Sequence, residues 1–153
     1  MSDTKKNILV TGANGQLGME FRVLEQQYPG CKFIFTSREE LSIADVIAVE
    51  ELFRAQEIFA CINCAAYTAV DKAESEREAA FEINATAAGN LAAACKKYGA
   101  HFIHISTDYV FAGNGTQPYN ENDDTHPINV YAASKLEGEK LVLANNSNAV
   151  IIR

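Results

Sequence analysis

Tryptophan is absent from this 153-residue chain and only three prolines occur, and no internal repeat, low-complexity tract or linker interrupts it. Basic residues are scarce: 13 Lys and Arg stand against 20 Asp and Glu, a formal charge of −7. That deficit argues against nucleic acid as a partner, because replacing phosphate counterions calls for a basic face. No apolar run approaches the roughly twenty residues that cross a bilayer, and the opening MSDTKKNILVTG has no signal-peptide stretch. A chain with no membrane partner and a cytoplasmic location is therefore expected. Its four cysteines, Cys31, Cys61, Cys64 and Cys95, sit in apolar segments and read as reduced thiols. What is present in quantity is apolar mass, 48% of residues, enough for the core of one globular domain, and 22% charge argues against disorder.

Short apolar runs alternate with helical periodicities from end to end. Asn7 to Thr11, Lys32 to Thr36, Phe59 to Cys64, His101 to Thr107 and Ala149 to Ile152 are apolar on both faces, as buried parallel strands are. Between them Leu17, Phe21, Leu24 and Tyr28, then Val46, Val49 and Phe53, then Ile83, Ala87, Leu91, Ala94 and Tyr98 each mark one helix stripe. Pro29-Gly30 and Gly99 are placed to stop the first and third helices. Asp108 to Ile128 reads as a loop, and a last helix runs from about Asn129 to Asn146 with Ala132, Leu136 and Leu143 as its apolar stripe. The order predicts an α/β fold, a Rossmann-like doubly wound parallel sheet with helices on both faces.

The first strand runs directly into Gly12-Ala-Asn-Gly15-Gln-Leu-Gly18 and then a helix. Glycines there tighten the turn, admit a pyrophosphate to the backbone and let helix pack on strand, while free amides at the helix start face the phosphates. The GxxGxxG spacing is one residue longer than the usual dinucleotide motif. After the second strand stands Thr36-Ser37-Arg38. A hydroxyl and a guanidinium suit a 2′-phosphate better than a carboxylate would, which favours NADP over NAD. The alternative for Arg38 is a solvated surface arginine.

Tyr131-Ala-Ala-Ser-Lys135 puts a phenol and an ammonium on one face of the last helix, with Gly138 a turn further on. A lysine there draws the phenol towards ionisation and makes it a usable proton donor. A tyrosine merely packing over a lysine stem gives the same spacing. Ser106-Thr107-Asp108 closes the fourth strand, where ligands of open α/β sheets bind, so Thr107 can address the same substrate oxygen or simply cap a turn. Asn84 lies beside the apolar side of the third helix, bridging a strand end or a water, or sitting at an exposed edge. Cys61 and Cys64 have redox-motif spacing, yet within a strand they read as buried thiols. No His or carboxylate cluster has ligand spacing, so no metal is expected. Glu74, Glu76 and Glu78 read as a solvated helix start.

With these pieces placed, the chain resembles the extended short-chain dehydrogenase/reductases. INCAAYTAVDKAESE (Ile62 to Glu76), STDYVFAGNGTQPYNEND (Ser106 to Asp123) and PINVYAASKLEGE (Pro127 to Glu139) look like its dTDP-4-dehydrorhamnose reductase branch. The resemblance covers all 153 residues and ends near the middle of such a protein, so residues 1–153 are expected to be an NAD(P)-binding Rossmann domain without the C-terminal substrate-binding part. It implies an enzyme that passes hydride from NADPH, with NADH also usable, to C4 of dTDP-4-dehydro-β-L-rhamnose, a dTDP-4-keto-6-deoxy sugar. Thr107, Tyr131 and Lys135 match the catalytic set, Lys135 and Tyr131 also meeting the nicotinamide ribose. Gly12, Gly15, Gln16, Leu17, Gly18, Arg38, Ser42, Ile43, Ala65, Ala66 and Tyr67 match the cofactor contacts. Ser42 replaces the family's usual Asp, Ala132 its small residue, and Tyr67 a position often held by His. A homodimer, a non-catalytic regulatory subunit on the same fold, and an epimerase or dehydratase stay as alternatives at this point, and the fragment alone is expected to be inactive.

Overall fold

Each apolar run becomes a strand because, buried on both faces, it hides its backbone only by pairing on both edges or at a sheet margin. In the computed structural model, which describes residues 5–153, these are β1 (Lys6–Thr11), β2 (Cys31–Thr36), β3 (Ile58–Asn63), β4 (His101–Ile105) and β5 (Val150–Ile152). All are parallel, in the order β2-β1-β3-β4-β5. The chain leaves β1 towards β2, then crosses back past β1 to β3. The strand order therefore reverses at the carboxyl ends of β1 and β3, where open α/β sheets hold ligands.

Six helices connect them: α1 (Gln16–Leu24), α2 (Val46–Ala55), α3 (Val70–Ala73), α4 (Arg77–Phe81), α5 (Ala88–Tyr98) and α6 (Val130–Asn145). Right-handed crossovers send the β1-to-β2 connection to one face of the sheet and the later ones to the other. Accordingly Ile8, Val10, Ala60 and Ile62 pack with Phe21 of α1, while Leu9, Cys61 and Phe102 pack with Val49, Phe53, Leu91 and Val142 from α2, α5 and α6. The α/β sheet expected from the sequence is the fold observed.

Caps account for several boundaries. Asp45 accepts from the amides of Ile47 (3.1 Å) and Ala48 (3.0 Å) to start α2, Asn129 accepts from Ala132 N (2.7 Å) to start α6, and Gly99 (φ +72°) ends α5. Three expectations need correction. α1 stops at Leu24, short of Pro29-Gly30, because the chain tightens into a 3₁₀ turn at Glu25–Gln27, which leaves Tyr28 exposed. The third helix is not one α-helix: α4 runs into a π-helical turn, Glu82–Ala87, before α5. On α6 Ala132 is buried but Leu143 is 46% exposed, and the inward side is instead largely polar: Ser134, Lys135, Gly138 and Glu139.

Candidate active site

The turn after β1 is pressed against the end of β3. Thr11 Oγ1 donates to Asn63 Oδ1 at 2.7 Å, and Gly12 (φ +65°) has so little room that a Cβ would lie 2.6 Å from Ala65 N. A Cβ on Gly18 would lie 2.6 Å from Ala13 Cα, so α1 can pack on the turn only through glycine. Gly15, by contrast, meets nothing closer than Gly12 O at 3.2 Å, and α1 starts after it with no side-chain cap on its first amides.

A crevice of about 310 Å³ opens over this turn. Gly12, Gly15, Arg38, Ser42, Ile43, Ala65, Ala66 and Tyr67 line it. Gln16 and Leu17 do not: they stand exposed on the first turn of α1, and Gly18 is buried beneath it. Ser37, named with Arg38 from the sequence, also lines it, as do Asn14, Leu41, Cys64, Thr68 and Ile83, which the sequence did not mark as crevice residues. Ser37 N is held by Glu40 Oε2 at 2.8 Å, a bond that holds the Glu40 carboxyl below its ordinary range, and Arg38 stands exposed at the rim beside Glu39. A floor that admits no side chain at Gly12, uncapped amides at the start of α1 and a guanidinium at the rim are groups that could hold the phosphates of a dinucleotide.

The sheet's next strand end carries the second group of residues. Thr107, just past β4, caps a 3₁₀ turn (Asp108–Val110) by accepting from Tyr109 N at 3.2 Å, so the plain capping reading is true of it. The same hydroxyl works against burial in lowering the Tyr131 phenol. Tyr109 meets the Tyr131 ring edge-on at 6.1 Å. The turn that Thr107 caps, at the end of β4, thus meets the part of α6 that carries Tyr131.

Lys135 departs from expectation. It is 1% exposed, and its ammonium donates to Ile105 O at 2.6 Å. Burial lowers it to about 8, against the raising influence of Glu139 and Cys64. Tyr131 is not drawn down by it: burial raises the phenol, Tyr109 and Asp108 raise it further, and only Thr107 opposes them. The lysine field falls instead on His104, which burial first and Lys135 second push down to about 3, and on Cys64, which burial raises to about 11. The cause is the tether to Ile105, which turns the ammonium towards β4. His104 Nδ1 accepts from Asn63 Nδ2 at 3.0 Å, so its proton sits on Nε2, which has no partner among the described residues.

Asn84 resolves to the strand-end alternative. Buried at the π-helical turn, it accepts from Tyr67 N (2.8 Å) and donates to Tyr67 O (3.0 Å) and Ser134 Oγ (2.9 Å), while Ser134 donates to Tyr131 O at 2.7 Å. One amide therefore couples the crevice wall to the helix of Tyr131. The widened turn is what brings it inward. The acidic run is not simply solvated: Glu74 Oε1 accepts from Val130 N at 2.9 Å at the start of α6, and Glu76 Oε2 accepts from the Tyr67 hydroxyl at 2.6 Å, which raises the phenol. These partners lie far apart in sequence, and no local signal marks them. Among the described residues all four cysteines are free and no group of three or more His, Cys, Asp or Glu is placed to hold a metal ion; burial pushes the Cys61 thiol well up. No helix among them is long and apolar enough to cross a membrane.

A parallel sheet with a glycine turn at its switch point defines a Rossmann-like α/β protein, here with a tyrosine and a buried lysine on the helix beyond. The chain belongs to the RmlD/dTDP-4-dehydrorhamnose reductase family: the family model described as RmlD substrate binding domain matches residues 6–153. It is 40% identical over 157 residues to dTDP-4-dehydrorhamnose reductase of Mycobacterium tuberculosis, covering 100% of this chain and 51% of that protein. The crystal structure of dTDP-4-dehydrorhamnose reductase from Bacillus anthracis in complex with NADP superposes with a TM-score of 0.93 at 38% identity, over 98% of this chain and 53% of the other. Methionine adenosyltransferase 2 subunit beta of Rattus norvegicus is 38% identical over 97% of this chain and 46% of its own. The chain spans about half the length of the curated relatives it matches.

Proposed function

We propose that this chain is the cofactor-binding and proton-donating half of a reductase that converts dTDP-4-dehydro-β-L-rhamnose to dTDP-β-L-rhamnose with NADPH. The observation that supports the reading is the meeting of the β4 end with α6: Tyr109, in the turn that Thr107 caps, lies edge-on to the Tyr131 ring at 6.1 Å. NADPH supplies the hydride when bound. The turn at Gly12 and Gly15 and the uncapped first amides of α1 would hold its pyrophosphate, and Arg38 would hold the 2′-phosphate, with NADH used less well for want of that contact. Thr107 orients the C4 carbonyl by a hydrogen bond, and Tyr131 delivers a proton to its oxygen. A phenol held un-ionised by burial is suited to giving that proton up only as negative charge develops on the oxygen beside it. Lys135, tethered to Ile105 O, steadies the β4 end that carries Thr107.

The test uses the full-length protein. Tyr131→Phe should cut turnover with NADPH and the 4-keto sugar nucleotide by roughly a hundredfold or more, with NADPH affinity nearly unchanged. Undiminished turnover rejects the mechanism. Likeness to the rat subunit favours a second reading, a regulatory partner that binds dinucleotide without turnover. A buried lysine ammonium one helical turn from a tyrosine favours the enzyme, because a binding module has no use for so costly a group. Net consumption of NADPH separates a reductase from an epimerase or dehydratase, which returns its NAD unchanged.

A further inference from the structure

One turn beyond Lys135, on the same inward side of α6, lies a second buried charge. The Glu139 carboxylate is 4% exposed and is gripped from two other elements. Ser106 Oγ, at the end of β4, donates to its Oε1. Arg153, just past β5, donates through Nε at 3.1 and 3.2 Å and through Nη2 at 2.7 Å. Arg153 is itself fixed, giving Nη1 to Glu121 O at 3.0 Å and lying 5.2 Å from the Phe111 ring centre. Ser106 N also donates to Ile152 O at 2.6 Å. Two successive inward turns of α6 thus hold two successive residues of the β4 end: Lys135 holds Ile105, and Glu139 holds Ser106. The next residue is Thr107.

We infer that Glu139, locked by Arg153, is a positioning residue: through Ser106 it sets where the Thr107 hydroxyl stands relative to the Tyr131 phenol on the same helix. The inference rests on the proposed reduction and adds to it a residue that touches neither substrate nor cofactor. A carboxylate serving only to fill the interior is replaceable, together with its arginine, by neutral groups with no loss. One with a positioning role is not, because the Ser106 tether goes with it.

The experiment compares Glu139→Met, which leaves Ser106 Oγ no acceptor on α6, with the double variant E139M/R153M in the full-length protein. The double variant removes both buried charges and keeps the test valid if the single variant folds poorly. Turnover of the 4-keto sugar nucleotide should fall roughly a hundredfold in both, the scale expected when a reacting group is misplaced by about an ångström. The dissociation constant for NADPH should stay at the wild-type value. A double variant with wild-type stability and wild-type turnover overturns the inference, since the pair would then be only structural. If the wild-type protein reduces no such sugar, the functional reading fails alone. Amide exchange at Thr107 in the same variants then decides: faster exchange supports the tether, and an unchanged rate overturns it.

Discussion

Gly138→Ala is the sharpest perturbation of the contact between α6 and the π-helical turn. A Cβ on Gly138 would collide with Asn84 O and stand 3.1 Å from Asn84 C and 3.5 Å from Ala85 Cα. All three atoms are backbone, in a turn held by the hydrogen bonds of Asn84 to Tyr67 and Ser134, so no flexible side chain can step aside. An alanine in an unconstrained helix interior would gain about 1 kcal/mol over glycine. Overpacking against rigid atoms costs about 3 kcal/mol, leaving a net loss of about 2 kcal/mol. In a domain of this size that lowers Tm by about 4–8 °C. Urea and thermal unfolding of residues 1–153 measure it, with Gly30→Ala as control, since nothing lies within 4 Å of a Cβ there. The control should stay within about 0.5 kcal/mol of the parent. A Gly138→Ala protein as stable as the parent refutes the close approach. In the full-length protein the same displacement carries Tyr131 and Lys135 away from Thr107, so turnover should fall more than NADPH affinity.

Two further outcomes follow from buried titrating groups. Lys135 is held at about 8 against an ordinary 10.5, so below pH 8 the fold bears the whole burial penalty, on the order of 3 kcal/mol. Between pH 8 and 10.5 the unfolded chain binds the extra proton, and the contribution of this residue to stability rises with pH. Lys135→Met should therefore stabilise the protein at pH 7 by about 2 kcal/mol, after about 1 kcal/mol is lost for leaving Ile105 O without a donor, and should flatten that rise. Chemical unfolding across the range would contradict this by showing a less stable variant. His104, held at about 3, works in the acid direction. Its contribution is complete above pH 6.5 and is lost, up to about 5 kcal/mol, as the pH falls towards 3. Its ring resonances should not titrate above pH 5 in NMR, and a midpoint near 6.5 would show that the burial is wrong.

Patterns that are local in the chain were legible without coordinates. Strand positions followed from apolar runs, and the crevice floor from Gly12 and Gly15, because each depends on residues within one turn or one strand. The limits of α1 and the helical stretch through Asn84 were misjudged for a shared reason. A 3₁₀ or π turn differs from an α turn by a single hydrogen-bond partner, and only the neighbours packed against it select which.

What the amino-acid order determined by itself was the α/β topology and the type of chemistry on offer: a glycine turn, a strand-end hydroxyl, a phenol and an amine. Tertiary packing alone decided which way the polar side of α6 faces. Hydrophobicity assigns Ser134, Lys135 and Glu139 to solvent, since burying them unpaired would cost more than any helix gains. They turn inward because Asn84, Ile105, Ser106 and Arg153, distant in the chain, arrive to satisfy them. A buried polar group is stabilised only by partners the fold has already brought together, so its place cannot be read before the fold is known.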